Sequence, residues 1–174
     1  MTQDPLPGQQ AGRGMLIAAW VVGLALLTWV FGLWEERKHN PNRSPESRYF
    51  NGTQEVVLQR NTSGHYVASG SINGYDAVFL LDTGATDVVV SQDLAERAGL
   101  SAGIRKIAQT ANGRIEVRAT RLDRLQLGGI ELRDVSASIN PAMGGQQVLL
   151  GMSALGQVEF SQQDDRLTLR YRGN

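Results

Sequence analysis

The feature that most constrains this chain is a run of twenty residues, 15–34, that contains no charged side chain. Thr28 is the only polar side chain in the run. A helix of about twenty apolar residues is long enough to cross the hydrocarbon core of a bilayer. A cleaved signal peptide would have a shorter apolar region and a small-x-small cleavage site, whereas two glutamates follow Trp34 here. We therefore predict an N-terminal tail over residues 1–14 and an uncleaved transmembrane helix over 15–34.

The charges on either side of this segment give conflicting indications of its orientation. Arg13 precedes the segment, and a larger group of basic residues lies after it: Arg37, Lys38, Arg43 and Arg48. Counted strictly, this excess would keep the C-terminal part of the chain on the cytoplasmic side. A short tail before one apolar segment is, however, the usual layout of a signal anchor that exports the C-terminal part, and Glu35 and Glu36 lie directly at the exit. We expect the C-terminal part to be exported.

Residues 35–54 lack hydrophobic periodicity and are rich in Asn, Pro, Arg, Ser and Glu, with prolines at Pro41 and Pro45. Such a composition offers little apolar surface to bury, so we predict a flexible stalk over this segment. Fully extended, a stalk of this length would reach roughly 65 Å from the membrane.

The overall composition argues against several classes of function. Lys plus Arg and Asp plus Glu both number 17, and no basic run is long enough to follow a phosphate backbone, so we expect no nucleic-acid partner. Cysteine is absent, which removes disulfides, thiolate nucleophiles and cysteine-bound metals. His39 and His65 are the only histidines, which leaves few candidates for a metal site or a Ser/His/Asp triad. We expect no metal ion and no organic cofactor.

Over residues 55–172, short β-type runs alternate with turn residues. The pairs Asn73-Gly74 and Asn112-Gly113 are strong signals for two-residue hairpin turns. Ser91 is a suitable N-cap for a short helix that Gly99 would close. Many short strands with one or two brief helices are typical of a barrel or sandwich. We therefore predict one all-β domain over this range.

The segment from Phe79 to Thr86 places a carboxylate where a buried strand opens into a tight turn. Asp82 follows three apolar residues and precedes Thr83 and Gly84. An ionised carboxylate at the mouth of an apolar strand needs hydrogen-bond donors or a partner to compensate its desolvation. Gly84 permits a backbone geometry that aims N–H groups at the carboxylate, and the Thr83 hydroxyl can tie down the loop. Two such loops placed face to face could share one proton and activate a water molecule.

This motif resembles that of the retropepsin family of aspartic proteases, in particular its single-domain, membrane-anchored bacterial members. The family motif is two apolar residues, Asp, Thr or Ser, Gly, Ala and a small polar residue, which residues 80–86 match throughout. The resemblance covers about residues 55–171 and implies a retropepsin-like acid-protease barrel after the transmembrane helix. It implies that Asp82 is the catalytic carboxylate and that the Thr83 hydroxyl bonds across a dimer. The implied active-site loop also includes Gly84, Ala85 and Thr86.

Two further features agree with this family. Its late strand ends in two apolar residues and Gly before a short helix, as Leu149, Leu150 and Gly151 do. By the resemblance, Gly151 would let that strand pass close beneath the active loop. The family also carries a substrate-covering flap between the two motifs, which the resemblance assigns to a hairpin made of Gln109, Thr110, Ala111, Asn112, Gly113, Arg114 and Ile115.

The chain carries one Asp-Thr-Gly, and none of its other aspartates precedes Thr-Gly or Ser-Gly. The second carboxylate must then come from another copy of Asp82, so we expect a homodimer, which anchoring through residues 15–34 would favour. The resulting prediction is an aspartic endopeptidase that hydrolyses polypeptides, held by a single span in the bacterial inner membrane with its protease domain in the periplasm. One alternative is a non-catalytic retropepsin-like module that dimerises or binds peptides at the membrane. Another is a structural β-domain in which Asp82 only caps a turn.

Overall fold

The computed structural model describes residues 7–110 and 113–173 of the chain. The chain divides into two compact units, Met1–Lys38 and His39–Asn174. Among the described residues, the first unit is helical, and all strands lie in the second unit together with two short helices. The prediction of an all-β domain with brief helices is therefore confirmed for the second unit.

A single long helix, α1 (Pro7–His39), makes up the described part of the first unit. Within it, Gly14–Gly32 form a stretch of 19 residues that is long and apolar enough to cross a membrane, judged by length and composition. The large apolar side chains of this stretch are exposed, Leu27 for instance at 68%. Removing such a surface from water is favourable by about 25 cal/mol per Å². The helix agrees with the apolar segment 15–34 predicted from the sequence.

In the second unit, the described residues form eleven strands and two helices. The strands are β1 (Glu46–Phe50), β2 (Thr53–Gln59), β3 (Val67–Ile72), β4 (Tyr75–Leu81), β5 (Val88–Ser91), β6 (Arg105–Thr110), β7 (Gly113–Leu127), β8 (Ile130–Asn140), β9 (Gln147–Leu150), β10 (Glu159–Gln163) and β11 (Arg166–Arg172). The helices are α2 (Gln92–Arg97) and α3 (Met152–Leu155). Helix α2 starts at the residue after β5, and α3 starts two residues after the end of β9.

The strands form two sheets. The smaller sheet has the strand order β1-β2-β11-β10, and all its pairings are antiparallel. The larger sheet has the order β3-β4-β9-β5-β8-β7-β6, and a pairing of β3 with β7 joins six of these strands into a closed ring. Strand β6 stays outside the ring as one arm of a hairpin with β7. Closure satisfies backbone groups that would otherwise form free sheet edges.

Both sheets contribute to one hydrophobic core. Phe79 of β4 and Leu58 of β2 are both fully buried in the same cluster, although they belong to different sheets. In β11, Leu167 and Leu169 are buried while the residues between and beside them are more exposed, as the two-residue period of a strand requires. The shared core makes the two sheets one domain.

Two local signals act as the sequence predicts. The Ser91 Oγ accepts a hydrogen bond from the Leu94 N–H (3.2 Å) and so caps α2. Asn73 and Gly74 have φ angles of 50° and 87°, the positive values that a two-residue type I′ turn between β3 and β4 requires. Both features depend on neighbouring residues alone, which is why short-range patterns predict them.

The structure differs from the predicted flexible stalk over residues 35–54, because α1 and β1 both extend into this segment. Between them, Asn42 is buried against the domain. Its Nδ2 donates to the carbonyl oxygens of Gln59 (2.9 Å) and Val67 (2.8 Å), and its Oδ1 accepts from the Gln59 N–H (2.7 Å). The prediction is corrected for a physical reason: side-chain hydrogen bonds to strand backbone order a segment that has few apolar residues, and hydrophobic periodicity does not detect such bonds.

We expect Asn42→Ala to lower the free energy of unfolding of the second unit by roughly 2–4 kcal/mol, because the Gln59 N–H and two carbonyl groups would lose their buried partner. Denaturant titration of the full chain in detergent, monitored by circular dichroism, measures the change. Ser44→Ala, at an exposed position of the same segment, is the matched control and should change the free energy by less than about 0.5 kcal/mol. Equal losses in the two variants would contradict the role of Asn42.

Candidate active site

The candidate catalytic loop, residues 82–87, connects the end of β4 to the start of β5. Strand β4 pairs in parallel with β9, with Leu80 opposite Leu149 and Leu81 opposite Leu150. One more hydrogen bond, from the Asp82 N–H to the Leu150 carbonyl oxygen (3.1 Å), extends the ladder into the loop. The parallel pairing therefore holds side by side two motifs that lie far apart in the sequence.

The Asp82 carboxylate is oriented by its own turn. Its Oδ1 accepts a hydrogen bond from the Gly84 N–H (2.8 Å), and the Ala85 N–H donates to the Asp82 carbonyl oxygen (3.2 Å). A backbone N–H aimed at a carboxylate favours its charged form and fixes its direction. A Cβ at position 84 would lie 3.1 Å from this Oδ1, so glycine relieves a tight contact there. The Asp82 side chain is half-buried.

Gly151, at the end of β9, lies directly against the loop. A Cβ at this position would lie 2.2 Å from the Asp87 carbonyl oxygen and 2.7 Å from the Ala85 carbonyl oxygen, and both atoms belong to the backbone. Such distances are too short for any side chain, so the close approach requires glycine. Helix α3 starts at the next residue and adds a hydrogen bond from the Met152 N–H to the Ala85 carbonyl oxygen (2.8 Å).

Ser153, in α3, also supports the loop, although no sequence pattern assigned it to this site. Its N–H donates to the Thr86 carbonyl oxygen (2.9 Å). Its Oγ accepts from the Val88 N–H (2.9 Å) and donates to the Ser136 carbonyl oxygen (2.7 Å). One small side chain thus links the end of the loop, the start of β5 and a residue of β8. In the sequence, only the position of Ser153 two residues after Gly151 indicated that it could lie near the loop.

A cleft of about 690 Å³ opens beside the loop. The loop and parts of β5, β8 and β9 form one side, and the hairpin of β6 and β7 forms the other. The lining residues are Asp82, Gly84, Ala85, Thr86, Asp87, Val89, Lys106, Ile107, Ala108, Gln109, Ile115, Val117, Ser138, Asn140, Met143 and Leu149. A concave site with apolar walls and a few polar groups is the usual form of a ligand-binding cleft.

The hairpin of β6 and β7 contains the predicted flap residues. Gln109 and Ile115 line the cleft. The Arg114 Nε donates to the Gln109 Oε1 (3.4 Å) across the two arms of the hairpin. Thr110 pairs with Gly113 at the end of the ladder. The other two predicted flap residues lie outside the described residues: Ala111 and Asn112.

Several polar residues of the cleft were not predicted. Asp87 is half-buried, and its Oδ2 accepts a hydrogen bond from the Ser138 Oγ (3.2 Å). The pairing of β5 with β8 brings Ser138 and Asn140 to the cleft, and Lys106 reaches it from β6. Asp87 comes directly after the motif of residues 80–86, so its place in the sequence could have identified it as a residue of the cleft. The others depend on strand pairings that the sequence pattern does not reveal.

A second, smaller cavity of about 340 Å³ also borders the loop. The exposed Thr83 lines it together with Asp82, Tyr66 and Phe160. Within the described part of the chain, the Thr83 hydroxyl makes no hydrogen bond, and the buried Tyr66 hydroxyl lacks a partner as well. Most buried polar groups in proteins are paired. Of these two hydroxyls, that of the exposed Thr83 is available to another molecule at the surface beside Asp82.

Two curated relatives match most of this chain. A protein of Sinorhizobium sp, described as an uncharacterized protein in the cobV 5′ region, is 37% identical over 123 residues, which cover 68% of this chain and 53% of the relative. An uncharacterized protein of Rickettsia prowazekii (strain Madrid E) is 26% identical over 132 residues, which cover 73% of this chain and 56% of the relative. The chain spans about half the length of these relatives.

A solved structure shares the fold of the second unit. It is described as a retropepsin-like aspartic protease from Rickettsia conorii, and it is 25% identical with a TM-score of 0.58, covering 73% of this chain and 95% of that one. The retropepsin-like barrel predicted from the sequence is thereby confirmed. Residues 68–157, more than half of the chain, match the family described as gag-polyprotein putative aspartyl protease. The matched range contains both the Asp82 loop and Gly151, and the chain belongs to this retropepsin-like family of aspartic proteases.

Proposed function

We propose that this protein is a membrane-anchored aspartic endopeptidase that works as a homodimer. The observation that carries the proposal is the Asp82 carboxylate, which the Gly84 N–H holds at the wall of a cleft that also borders a β-hairpin. A half-buried carboxylate with a fixed direction, at the wall of a cleft of about 690 Å³, suits general acid–base chemistry on a peptide bond. The family relationship supports the same chemistry.

The proposed reaction needs two copies of Asp82, since the sequence has one Asp-Thr-Gly. Two carboxylates a few Å apart share one proton, because both cannot be charged at such a distance. The charged carboxylate takes a proton from a water molecule, whose oxygen attacks the carbonyl carbon of the substrate. The protonated carboxyl group donates to the carbonyl oxygen. The C–N bond then breaks as the leaving nitrogen takes up a proton.

The surface around Thr83 is the proposed dimer contact. It lies next to Asp82, and it carries the exposed Thr83 hydroxyl. Beside it, Phe160 is 44% exposed on β10, which forms one edge of the smaller sheet. An edge strand with exposed backbone groups and an aromatic side chain is suited to pairing with another chain. A two-fold axis near Thr83 would bring the two Asp82 carboxylates together.

The apolar helix is the proposed membrane anchor. At about 1.5 Å per residue, the 19 residues Gly14–Gly32 measure close to 30 Å, which is the thickness of a bilayer core. Anchoring two copies in one membrane raises their effective concentration and favours dimer formation. We further propose that the helix lies in the bacterial inner membrane with the protease domain in the periplasm. The acidic pair Glu35 and Glu36, which follows the apolar segment 15–34, supports this orientation.

We expect Asp82→Asn to lower peptide cleavage by roughly 10²- to 10⁴-fold, the range that general acid–base groups contribute. Asn can still accept the Gly84 hydrogen bond, so the loop should keep its geometry. The measurement is cleavage of a mixed peptide library by the full chain in detergent, from mildly acidic to neutral pH. Asp76→Asn, at an exposed position of β4, is the matched control. Equal activity of the two variants would refute the catalytic role of Asp82, and cleavage by neither variant despite dimer formation would favour a peptide-binding module.

We expect Phe160→Asp to weaken dimerisation by at least roughly tenfold, because two charged side chains would face each other where an apolar contact is proposed. Sedimentation in detergent measures the dimer constant, and activity should fall at low protein concentration and return at high concentration. Phe50→Asp is the control, since Phe50 is 75% exposed on β1, at the other edge of the same sheet. An unchanged dimer constant in Phe160→Asp would place the contact elsewhere.

We expect a phosphatase fused after Asn174 to be active in bacterial cells, because this reporter folds into its active form only after export. Fusion of a fluorescent protein that fails to mature in the periplasm is the complementary measurement and should give no signal. The reverse pattern, an inactive phosphatase and a fluorescent fusion, would show that the domain faces the cytoplasm.

A further inference from the structure

We propose that this protease acts on membrane-bound polypeptides and cuts them close to the bilayer surface. The proposal rests on the proposed function, namely a peptidase anchored by the helix Gly14–Gly32. It adds a limit on reach: the Asp82 carboxylate stays within about 40 Å of the end of the apolar stretch, whatever the angle between the two units. The limit is set by three consecutive parts of the chain.

The first part is the segment that leaves the helix, which is bound to the domain from its first residues. The Asn61 Nδ2 donates to the His39 carbonyl oxygen (3.0 Å), and the Asn40 Nδ2 donates to the Ser69 Oγ (3.0 Å). The Asn40 Oδ1 accepts from the Asn42 N–H (3.0 Å), and Asn42 is itself 5% exposed. These bonds leave no free tether after residue 39, so the domain cannot move away from the helix by extending a linker.

The second part runs from Asn42 to the catalytic loop and is made of paired strands. Asn42 forms a bridge with Ala68, and Ala68 pairs with Phe79. Each such step between neighbouring chains spans about 5 Å. Phe79 lies three residues before Asp82, a distance of about 10 Å along a strand. Asp82 is therefore at most about 20 Å from Asn42.

The third part runs from the apolar stretch to Asn42. Seven helical steps from Gly32 to His39 cover about 10 Å, because α1 continues to His39. Three further residues to Asn42 add at most about 11 Å. The sum of the second and third parts is about 40 Å. The flexible stalk predicted from the sequence would by itself have allowed roughly 65 Å.

The reach limit selects substrates by position. About 40 Å corresponds to a dozen residues of extended chain, so a peptide bond in the segment next to a membrane span can enter the cleft. A bond that a rigid structure holds farther away cannot. Among polypeptides bound to the same membrane, the substrates are therefore those that offer a cleavable bond in the juxtamembrane segment.

The test uses the full chain in liposomes together with membrane-spanning substrates that carry one cleavable sequence. A semi-rigid helical spacer of about 10, 30 or 60 residues holds that sequence roughly 15, 45 or 90 Å from the bilayer. We expect cleavage to fall at least roughly tenfold between the shortest and the longest spacer, because the effective concentration of an unreachable site approaches zero. Equal cleavage at all three lengths would overturn the proposal.

A linker variant is the matched comparison. A flexible Gly/Ser insertion of about 100 residues between Lys38 and His39 leaves every described hydrogen bond of the second unit intact and adds an r.m.s. reach of about 55 Å. This variant should cleave the longest spacer nearly as well as the shortest. Both proteins should cleave a free soluble peptide at the same rate, which tests the proposed function separately from the reach. A free peptide that neither protein cleaves would refute the peptidase itself.

A distance measurement tests the reach limit without relying on activity. The chain has no cysteine, so His65→Cys provides a single labelling site at an exposed position beside the cavity that Asp82 and Thr83 line. Energy transfer from a dye at this site to acceptor lipids should be strong in the native chain and clearly weaker in the linker variant. Weak transfer in both proteins would overturn the limit, whether or not the protein cleaves peptides.

Discussion

The candidate site depends on the parallel pairing of β4 with β9. This pairing brings Leu149, Leu150 and Gly151 beside the residues that lead into Asp82, and a hydrogen bond from the Asp82 N–H continues it into the loop. The loop can lie so close to β9 because position 151 has no Cβ. Helix α3 then supplies the N–H groups and the Ser153 hydroxyl that satisfy the loop carbonyls and the start of β5. Backbone groups of the loop that lie against β9 and α3 need such partners.

A second set of polar contacts orders residues 39–42, the first residues of the second unit. Asn40, Asn42 and Asn61 use side-chain amides to bind the backbone and side chains of β2, β3 and the segment after α1. Each bond contributes only about 1 kcal/mol, but leaving a buried partner unpaired costs more, which makes the arrangement specific. A segment with the composition of a flexible tether is thus part of the folded domain.

The site has half of the groups that its proposed chemistry needs. Asp82 is oriented and lies at a cleft, yet a single carboxylate cannot provide both the acid and the base of peptide hydrolysis. The exposed Thr83, the unpaired Tyr66 hydroxyl and the exposed Phe160 lie on the same side of the loop. A second copy meeting this surface would supply the missing carboxylate and would also cover Thr83 and Phe160. The fraction of active enzyme would then equal the fraction of protein in the dimer, and both would depend on protein concentration.

Features set by neighbouring residues were determined by the sequence alone: the apolar helix, the Ser91 cap, the Asn73-Gly74 turn and the all-β pattern after them. The resemblance carried by Asp82 to Thr86 and by Leu149 to Gly151 also indicated the family, because both motifs are short and contiguous. Tertiary structure decided the rest. The ring closure between β3 and β7, the roles of Asp87, Ser138 and Ser153, and the docking of Asn42 all depend on strand pairings between distant residues. Side-chain hydrogen bonds to distant backbone have no periodicity, so only the folded chain reveals that residues 40–54 are not a stalk.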